Sequence, residues 1–403
     1  MISVVEARSR ILSQLKPVGP ETVSLAEAGG RVLATAAMAR RTQPPVAVSA
    51  MDGYAARAAD VASVPVTLTQ IGMATAGKAF EGKMGAGQCV SIFTGAPVPT
   101  GADTIVIQEN VSADGKKITV NESAASGLFI RRAGLDFRAG DVHLRGGMKL
   151  SPAQIGLAAA MDIPWLEVRR RPRIALISTG DELVRPGEPV GPSQIISSNA
   201  LALAGLIRSA GGEPVDLGIA RDERASILAL VDAAQGTDLL VTLGGASVGE
   251  HDLVQKALAE RGLALDFWPI AMRPGKPLMF GMLGSLPILG FPGNPVSSLV
   301  CGLLFLKPAI ETLLGMKGGA NPYMQARLGR DLAENDARED YLRATLAQAE
   351  NGELTATPFM RQDSSNLSKL AEAQCLVIRP PHAPAAKVGE PVTILRLADA
   401  YGH

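Results

Sequence analysis

The sequence predicts a multidomain chain of the α/β plus β class. Its 403 residues are far more than one ordinary domain needs. Between Arg171 and about Gly318, apolar strand-like runs alternate with helical stretches, which is typical of a parallel sheet covered by helices. On both sides of this core, short β-rich runs are separated by turn signals. We therefore expect a central αβ domain with a small β domain before it and another after it.

The N-terminal segment is predicted to be helical. Ser3 with Glu6, and Ser24 with Glu27, match the capping box, in which a hydroxyl and a back-reaching carboxylate bind the first free backbone amides of a helix. Gly29-Gly30 is expected to end the second helix.

The first β region extends from Thr42 to about Gly140. Ser151-Pro152 then supplies an N-cap and an N1 proline for a helix through Ala160. Because helical segments flank the β region, an inserted domain would explain the order of elements. The expected strands are Val64–Ile71, Cys89–Phe93, Thr104–Ile107 and Lys117–Val120.

The central region repeats a strand, a loop and a helix. Asn199 is expected to cap the first of these helices, and Gly211-Gly212 to end it. After Asn321-Pro322 the chain returns to strand-like runs, which predict the second small β domain. The core strands are Ile174–Ile177, Val215–Ile219, Leu239–Leu243 and Ile288–Phe291, the core helices are Ala200–Ala210, Arg224–Ala234, Asp252–Arg261 and Val296–Lys307, and the late strands are Tyr341–Leu346, Leu354–Thr357, Cys375–Ile378 and Val392–Leu397.

The composition argues against nucleic acid and membrane as partners. Lys and Arg together number 39, as do Asp and Glu, so the chain is formally neutral. It therefore has no long-range electrostatic attraction for nucleic acid or for an anionic membrane. The longest apolar run, Leu299–Leu306, is too short to span a bilayer. Cys89, Cys301 and Cys375 show no metal-ligand spacing, which favours buried free thiols in a reducing compartment. With no visible targeting segment, we expect a cytoplasmic protein.

Polar motifs abut the apolar strands of the core. A parallel sheet binds ligands beyond the carboxyl ends of its strands, so we expect these motifs to gather at one edge. Their glycines, acids and two cations suit a phosphorylated ligand with a divalent metal. The motifs are Ser178–Glu182, Gly244–Asp252, Arg273–Pro277 and Pro292–Ser298.

Three acids occupy equivalent loops after three strands. Glu182, Asp222 and Asp252 could hold Mg²⁺ together with the phosphate oxygens of a substrate. The alternative for Asp252 is that it only stabilises the first turn of the helix that follows it.

Glycines follow the strand Leu239–Leu243. Gly244, Gly245 and Gly249, with Ser247 between them, would let backbone amides approach an anion at a helix N-terminus. The alternative is a tight strand-to-helix turn, since the segment has neither the Walker A nor the Rossmann spacing.

Two proline-containing loops could shape the ligand site. Pro292, Gly293, Asn294 and Pro295 form a stiff frame that could hold a ligand ring, or they only start a helix. In the second loop, Arg273 and Lys276 could clamp phosphate or another oxyanion, or remain solvated loop charges.

The β region also carries candidate groups. Asp52 and Thr94 stand beside glycines, although Asp52-Gly53 is also a common turn. Arg131 and Asp136, with Arg132, could bind a ligand or form a surface ion-pair group of small energetic value.

Six motifs, SAMDGYA, FTGAPVP, STGDEL, GGASVGEHD, RPGKP and FPGNPVSS, run in order from Ser49 to Ser298. Together they resemble the molybdopterin molybdenumtransferases, the MoeA family that includes the E domain of gephyrin. The resemblance implies a central domain similar to molybdopterin adenylyltransferases and a C-terminal β barrel. It divides the chain into an elongated dimerisation domain (1–43 and 141–170), an inserted β domain (44–140), the αβ molybdopterin-binding domain (171–318) and the barrel (319–403).

The resemblance also implies a reaction. Adenylylated molybdopterin would be cleaved with Mg²⁺ and molybdate placed on its dithiolene, which releases AMP and molybdenum cofactor. The chain would act as a homodimer, and the adenylyltransferase of the same pathway is a candidate partner. Glu182, Asp222 and Asp252 would bind metal and substrate, and the partner subunit would contribute Asp52, Thr94, Arg131 and Asp136. Pro292 and Pro295 would shape the pterin pocket, and Arg273 and Lys276 would bind anions. Arg343 and Ser364 match family positions less securely and would contact the substrate.

The sequence departs from the family at two positions. Ala246 stands where many relatives have valine, and Pro269 stands where some have a lysine, which puts one anion contact in doubt. One alternative function is the adenylylation of molybdopterin by ATP, but that reaction needs only the αβ core. The other is a non-catalytic scaffold, which the presence of Glu182, Asp222 and Asp252 argues against. Molybdate and tungstate are not distinguished by these motifs.

Overall fold

The computed structural model describes residues 1–245, 253–317 and 322–401. At the N-terminus the amide of Glu6 donates to the Ser3 hydroxyl (3.1 Å), which confirms the first cap, while the Glu6 carboxylate pairs with Arg10. The second expected helix is wrong: only the 3₁₀ turn Leu25–Glu27 forms, because a strand continues to Ser24. The first elements are helix α1 (Val4–Ser13) and strands β1 (Pro20–Ser24), β2 (Ala37–Met38) and β3 (Val48–Ser49).

A six-stranded sheet follows, in the order β7-β4-β6-β5-β9-β8. Neighbouring residues on one strand face different cores, since Ala55 packs in one apolar cluster and Ala56 in another. Both faces are therefore covered, as expected for a small β domain. Its strands are β4 (Gly53–Ala56), β5 (Val66–Ala74), β6 (Gln88–Ile92), β7 (Thr104–Ile107), β8 (Val111–Asp114) and β9 (Lys117–Val120).

The chain then returns alongside its own N-terminal strands. β10 pairs with β3, β11 with β2 and β12 with β1, all antiparallel. The helix after Ser151 is confirmed, with both bonds of a capping box to Gln154. The six-stranded sheet is thus inserted between paired segments. The returning elements are β10 (Ile130–Arg131), β11 (Val142–Leu144), α2 (Pro152–Ala160) and β12 (Trp165–Arg169).

The core sheet has the order β16-β13-β17-β21-β20-β18. β16, β13, β17 and β21 are parallel, β20 runs antiparallel to β21, and β18 runs antiparallel to β20, so the expectation of a parallel sheet is wrong for the pairings of the reversed strand β20. The strands are β13 (Arg173–Thr179), β14 (Leu183–Val184), β15 (Ile195–Ile196), β16 (Glu213–Ala220), β17 (Leu239–Leu243), β18 (Leu263–Phe267), β19 (Met272–Arg273), β20 (Met279–Leu283) and β21 (Leu286–Phe291). The helices are α3 (Asn199–Ser209), α4 (Arg224–Ala233), α5 (Leu253–Glu260), α6 (Pro295–Cys301) and α7 (Lys307–Leu313), with a π-helical segment at Gly302–Leu306.

Both faces of this sheet are buried. Along β13, Ile174 and Leu176 pack into one apolar cluster while Ala175 and Ile177 pack into another. Among the described residues, one helix, Pro295–Leu313, has the length and hydropathy of a membrane span, and 72% of its most apolar window is buried inside the protein. This helix packs as a core element and begins at the edge of the sheet where β21 ends.

The C-terminal region forms a closed barrel of five strands. The pairing runs β23-β24-β22-β26-β25 and back to β23, and β19 of the core adds to β23 in parallel. The α/β plus β class with a C-terminal barrel is confirmed. The elements are β22 (Tyr323–Leu328), β23 (Glu339–Gln348), β24 (Leu354–Pro358), α8 (Leu367–Glu372), β25 (Cys375–Arg379), β26 (Pro391–Arg396) and α9 (Leu397–Tyr401).

The three cysteines are buried and free, as expected. Burial disfavours the thiolate and raises the pKa of Cys89 and Cys375 to about 12. The pKa of Cys301 is raised for the same reason. The thiols are therefore packing groups rather than nucleophiles.

Candidate active site

A cavity of about 810 Å³ lies at the edge of the core sheet where the parallel strands end. The loops that follow β13, β17 and β21 line it with Gly180, Gly244 and Pro292. Because β20 runs antiparallel to β21, the loop that precedes β20 starts at the same edge and contributes Pro277. The structure thus brings residues of all four core motifs to one place.

Glu182 and Asp222 both line this cavity. The backbone amide of Asp181 donates to a carboxylate oxygen of Asp222 (3.4 Å), and the amide of Asp222 donates to Asp181 (3.2 Å). These reciprocal bonds tie the loop after β13 to the loop after β16. Asp181 therefore fixes the position of Asp222.

The carboxylate of Glu182 lies directly over Gly180. A Cβ added at Gly180 would be 2.2 Å from Glu182 Oε2, and Gly180 has a φ of +142°. Glycine adopts this backbone conformation without strain and leaves room for the carboxylate where it lies, whereas any larger residue would make the exposed Glu182 side chain shift. The glycine of the Ser-Thr-Gly-Asp-Glu motif thus permits this position of its glutamate.

Gly244 and Gly245 form a tight turn after β17. Their φ angles are +94° and +62°, and a Cβ at Gly245 would be 2.2 Å from Val254 Cγ2. The strand-to-helix turn is therefore present, and both glycines also line the cavity. Ser247, Gly249 and Asp252, together with Ala246, lie outside the described residues.

The loop Pro292-Gly293-Asn294-Pro295 is held from outside. The side chain of Asn199 donates to the carbonyl of Gly293 (2.6 Å), and the hydroxyl of Ser298 donates to the carbonyl of Pro292. Asn294 occupies the N-cap position of α6, but its amide donates to Ser364 Oγ (3.0 Å) and makes no capping bond. All four loop residues line the cavity, so the loop both starts the helix and forms a wall.

The expected role of Asn199 as a helix cap is wrong. Ser198 precedes the helix, and Asn199 is its first residue. Its side chain points away from the helix amides because it is bonded to Gly293 across the cavity edge. Asn199 lines the cavity and is a site residue that the capping pattern concealed.

Arg273 does not reach this cavity, and the expectation that it does is wrong. Its guanidinium binds Asp340, a buried carboxylate of the barrel, and it also pairs with Asp336 (3.3 Å). It lines a second cavity of about 160 Å³ beside β19. The attraction of these two acids holds Arg273 at the contact between the core and the barrel. Lys276 precedes Pro277 but is not itself among the lining residues.

Two barrel residues named from the resemblance lie near the cavity wall. Ser364 binds Asn294 and accepts the amide of Val296 through its carbonyl (3.1 Å). Arg343 is buried, with 1% of its surface exposed, and does not line the cavity. Burial lowers the pKa of Arg343 from its ordinary value. Its Nη1 donates to the carbonyl of Asn366 (3.0 Å).

The candidate residues of the inserted β domain do not line the cavity of their own chain. The amide and hydroxyl of Thr94 both donate to Asp52 Oδ1, at 2.7 and 2.9 Å. The amide bond first and the hydroxyl bond second lower the pKa of the exposed Asp52 carboxyl. Arg131 and Asp136 are exposed and, in the described part of the chain, form no ion pair, so the surface ion-pair alternative is wrong.

The sequence did not reveal the apolar side of the cavity. Ile195 and Ile196 line it although they are 58% and 40% exposed, and Leu253 lines it at 37%. Ser365 and Leu367 of the barrel also line it. The Ile195-Ile196 run was the only signal in the sequence, and it is too short to distinguish a cavity wall from a strand.

The charge of the lining is one-sided. Among the described residues that line the cavity, Glu182 and Asp222 are the carboxylates and none is Lys or Arg. The segment 246–252 contains no Lys or Arg in its sequence either. Nor do the described residues contain a cluster of three His, Cys, Asp or Glu that could hold a metal. An anionic ligand therefore needs positive charge from another source.

Three family profiles match consecutive parts of the chain. They are the MoeA N-terminal region (domain I and II) over residues 2–161, a probable molybdopterin binding domain over 175–312, and the MoeA C-terminal region (domain IV) over 325–397. A molybdopterin molybdenumtransferase from Haemophilus influenzae is 35% identical over 399 residues, which cover 98% of each chain. The chain belongs to the MoeA family.

Other members of the MoeA family agree with this assignment. The molybdopterin molybdenumtransferase of Nostoc sp. is 34% identical over 94% of this chain and 88% of its own length. The crystal structure of the molybdopterin biosynthesis moeA protein from Pyrococcus horikoshii OT3 has a TM-score of 0.84 at 28% identity, with 98% of this chain and 99% of that chain covered. The resemblance noted from the motifs is confirmed over the full length.

Proposed function

We propose that this MoeA-family enzyme cleaves adenylylated molybdopterin, inserts molybdate into its dithiolene, and releases AMP and molybdenum cofactor. Membership of the family makes the chain an enzyme of molybdenum cofactor biosynthesis. The finer reaction is supported by one observation above the others. The cavity combines Glu182, Asp222 and a double-glycine turn at the carboxyl ends of parallel strands, where such folds bind their ligands.

The cavity suits an elongated substrate with a ring and phosphates. Its volume of about 810 Å³ lies in the range of ligand sites. The loop Pro292–Pro295 and the exposed Ile195 and Ile196 offer an apolar surface to a ring. The phosphoanhydride would lie beside Glu182 and Asp222, and Ser365 and Leu367 of the barrel complete the lining.

Two carboxylates at this edge have the chemistry of magnesium ligands. Glu182 and Asp222 supply carboxylate oxygens, the donors that Mg²⁺ prefers, and few protein ligands are needed when phosphate oxygens complete the shell. We propose that these two residues hold the ion, with Asp252 as the third acid in the sequence. When bound, the ion would neutralise the charge of the phosphoanhydride oxygens. The chain's part is to fix the carboxylates, through Gly180 for Glu182 and through Asp181 for Asp222.

We also propose that the active form is a homodimer in the cytoplasm. The carboxylate of Asp52 is exposed and is held in place by two hydrogen bonds from Thr94, but neither residue lines the cavity of its own chain. A second copy that presents Asp52, Thr94, Arg131 and Asp136 would bring one cation, the guanidinium of Arg131, to a lining that has none among its described residues. The three buried free thiols suit a reducing compartment. The adenylyltransferase that makes the substrate is the proposed upstream partner.

The test is AMP release from adenylylated molybdopterin in the presence of Mg²⁺ and molybdate. Glu182→Gln should lower the rate about 10²–10³-fold, because a positioned electrostatic contact is lost. Glu188→Gln is the matched control, since Glu188 lies in the next loop, after β14, and accepts the backbone amide of Arg185 (2.9 Å) but does not line the cavity.

Two results would overturn the proposal. If the chain consumes ATP to make adenylylated molybdopterin, it is an adenylyltransferase. If Glu182→Gln and Glu188→Gln release AMP at the same rate, the cavity is not the site of cleavage.

A further inference from the structure

One wall of the cavity comes from the C-terminal barrel. The segment 359–367 follows β24 and leads into α8. Ser365 and Leu367 of this segment line the cavity. Because the rest of the described lining belongs to the core, the position of segment 359–367 sets the width of the cavity on this side.

The wall segment is attached to the core at its middle. The carbonyl of Ser364 accepts the amide of Val296 (3.1 Å), which is one of the free amides at the start of α6. The hydroxyl of Ser364 accepts the side-chain amide of Asn294 (3.0 Å). The residue next to these contacts, Ser365, faces the cavity.

The wall segment is attached to the barrel through Gln362. Gln362 Oε1 accepts both the amide (3.0 Å) and Nε (3.3 Å) of Arg343 in β23. Gln362 Nε2 donates to the carbonyls of Arg343 and Phe359, each at 3.0 Å. One half-buried side chain therefore uses both its donor and its acceptor to join the segment to the strand.

Arg343 has no other strong partner. It is 1% exposed, its Nη2 has no hydrogen-bond partner, and none of the described acids pairs with it at ion-pair distance. Its Nη1 donates to the carbonyl of Asn366, which lies at the end of the wall. Asp363 of the same segment attracts this cation from beyond ion-pair distance, so the direct contacts that orient Arg343 are its hydrogen bonds to neutral groups. Gln362 binds the backbone amide and carbonyl of Arg343 and, through Nε, its guanidinium, and the same guanidinium donates to Asn366.

We propose that Gln362 is a positioning residue that sets the cavity wall through Arg343 and so determines affinity for the substrate. The inference rests on the proposed function, because the substrate is the adenylylated molybdopterin assigned above. Gln362 touches neither the cavity nor the reacting atoms. Its effect therefore appears in the KM rather than in the rate of the bound complex.

The experiment compares Gln362→Ala with Gln374→Ala. Gln374 Oε1 accepts the amide of Leu346 (2.9 Å), so it braces the same strand but forms no hydrogen bond with segment 359–367. We expect Gln362→Ala to raise the KM for adenylylated molybdopterin about tenfold, with kcat within about threefold of the parent. Gln374→Ala should leave both unchanged. Gln362→Met, which keeps the volume of the side chain, should behave as Gln362→Ala does.

A second readout does not depend on turnover. Hydrogen exchange of the amides in 359–367 should accelerate in Gln362→Ala and not in Gln374→Ala. Equal exchange and equal KM in the two variants would overturn the inference, and so would a Gln362→Met variant that fails to fold, because the role would then be structural. If the parent itself releases no AMP, the proposed function fails, and exchange alone decides whether Gln362 holds the wall.

Discussion

Replacement of Gly180 by alanine should displace the carboxylate of Glu182, which we propose as a magnesium ligand, without changing Glu182 itself. The new Cβ would lie 2.2 Å from Glu182 Oε2, whereas ordinary contact begins at 3.4 Å, so the carboxylate must move by about 1.2 Å. A misplacement of about 1 Å can lower a rate roughly 10²-fold. The backbone at φ +142° adds strain of about 1–3 kcal/mol to the folded state.

Two other glycines separate these effects. Gly187 has a φ of +88° with open space around its Cβ position, so Gly187→Ala carries the strain alone. Gly293 lines the same cavity without a positive φ, and its added Cβ would be 3.7 Å from the nearest atom, so Gly293→Ala adds bulk alone. The assay measures AMP release and the thermal midpoint for all three variants.

We expect Gly180→Ala and Gly187→Ala to lose similar stability while only Gly180→Ala loses about 10²-fold in AMP release. A Gly180→Ala enzyme that stays within about threefold of Gly187→Ala would refute the positioning of Glu182 by Gly180. Adding Glu182→Ala to Gly180→Ala should cost little more activity, since the two changes act on the same carboxylate.

Three further outcomes are expected. Mixing Asp52→Ala chains with Asp222→Ala chains should restore AMP release through one intact site per heterodimer, and the absence of any recovery would argue against a shared site. Thr94→Val should raise the pKa of Asp52 toward its usual value, and carbon NMR can follow this change. Because the pKa of Asp52 is lower in the folded state, its ionised carboxylate stabilises the fold at pH values above the ordinary carboxyl pKa. That contribution to stability disappears as the pH falls through the pKa of the folded state. A chelator should stop AMP release with an unchanged thermal midpoint, and a lower midpoint would indicate a structural ion instead.

Local signals predicted the elements well. The strands Thr104–Ile107 and Leu239–Leu243 and the helix Pro152–Ala160 appear with the bounds that the apolar runs and the Ser-Pro cap indicated. These features depend on residues close in sequence, so a single sequence contains the information. The glycines of the site could also be predicted from the sequence, because the motifs themselves show the positions where no side chain is present.

Long-range partners decided the remainder. Asn199 resembled a helix cap, but its side chain donates a hydrogen bond to the carbonyl of Gly293, 94 residues later. Arg273 resembled an anion-binding residue, but its guanidinium donates to the carboxylate of Asp340, 67 residues later. Gln362 carried no signal at all, since a single glutamine in a loop gives no indication of the strand it will join. A motif shows which chemistry is available, and only the fold shows which partner uses it.

The one-sided charge of the cavity has a consequence for what the protein rejects. Free phosphate, sulfate or a bare nucleotide would approach two carboxylates with no lysine or arginine in the described lining to offset them. Both carboxylates are exposed, so water and salt weaken this repulsion without removing it. We therefore expect abundant cellular anions to bind poorly here unless they arrive with a cation, so that selectivity at this site begins with exclusion rather than with attraction.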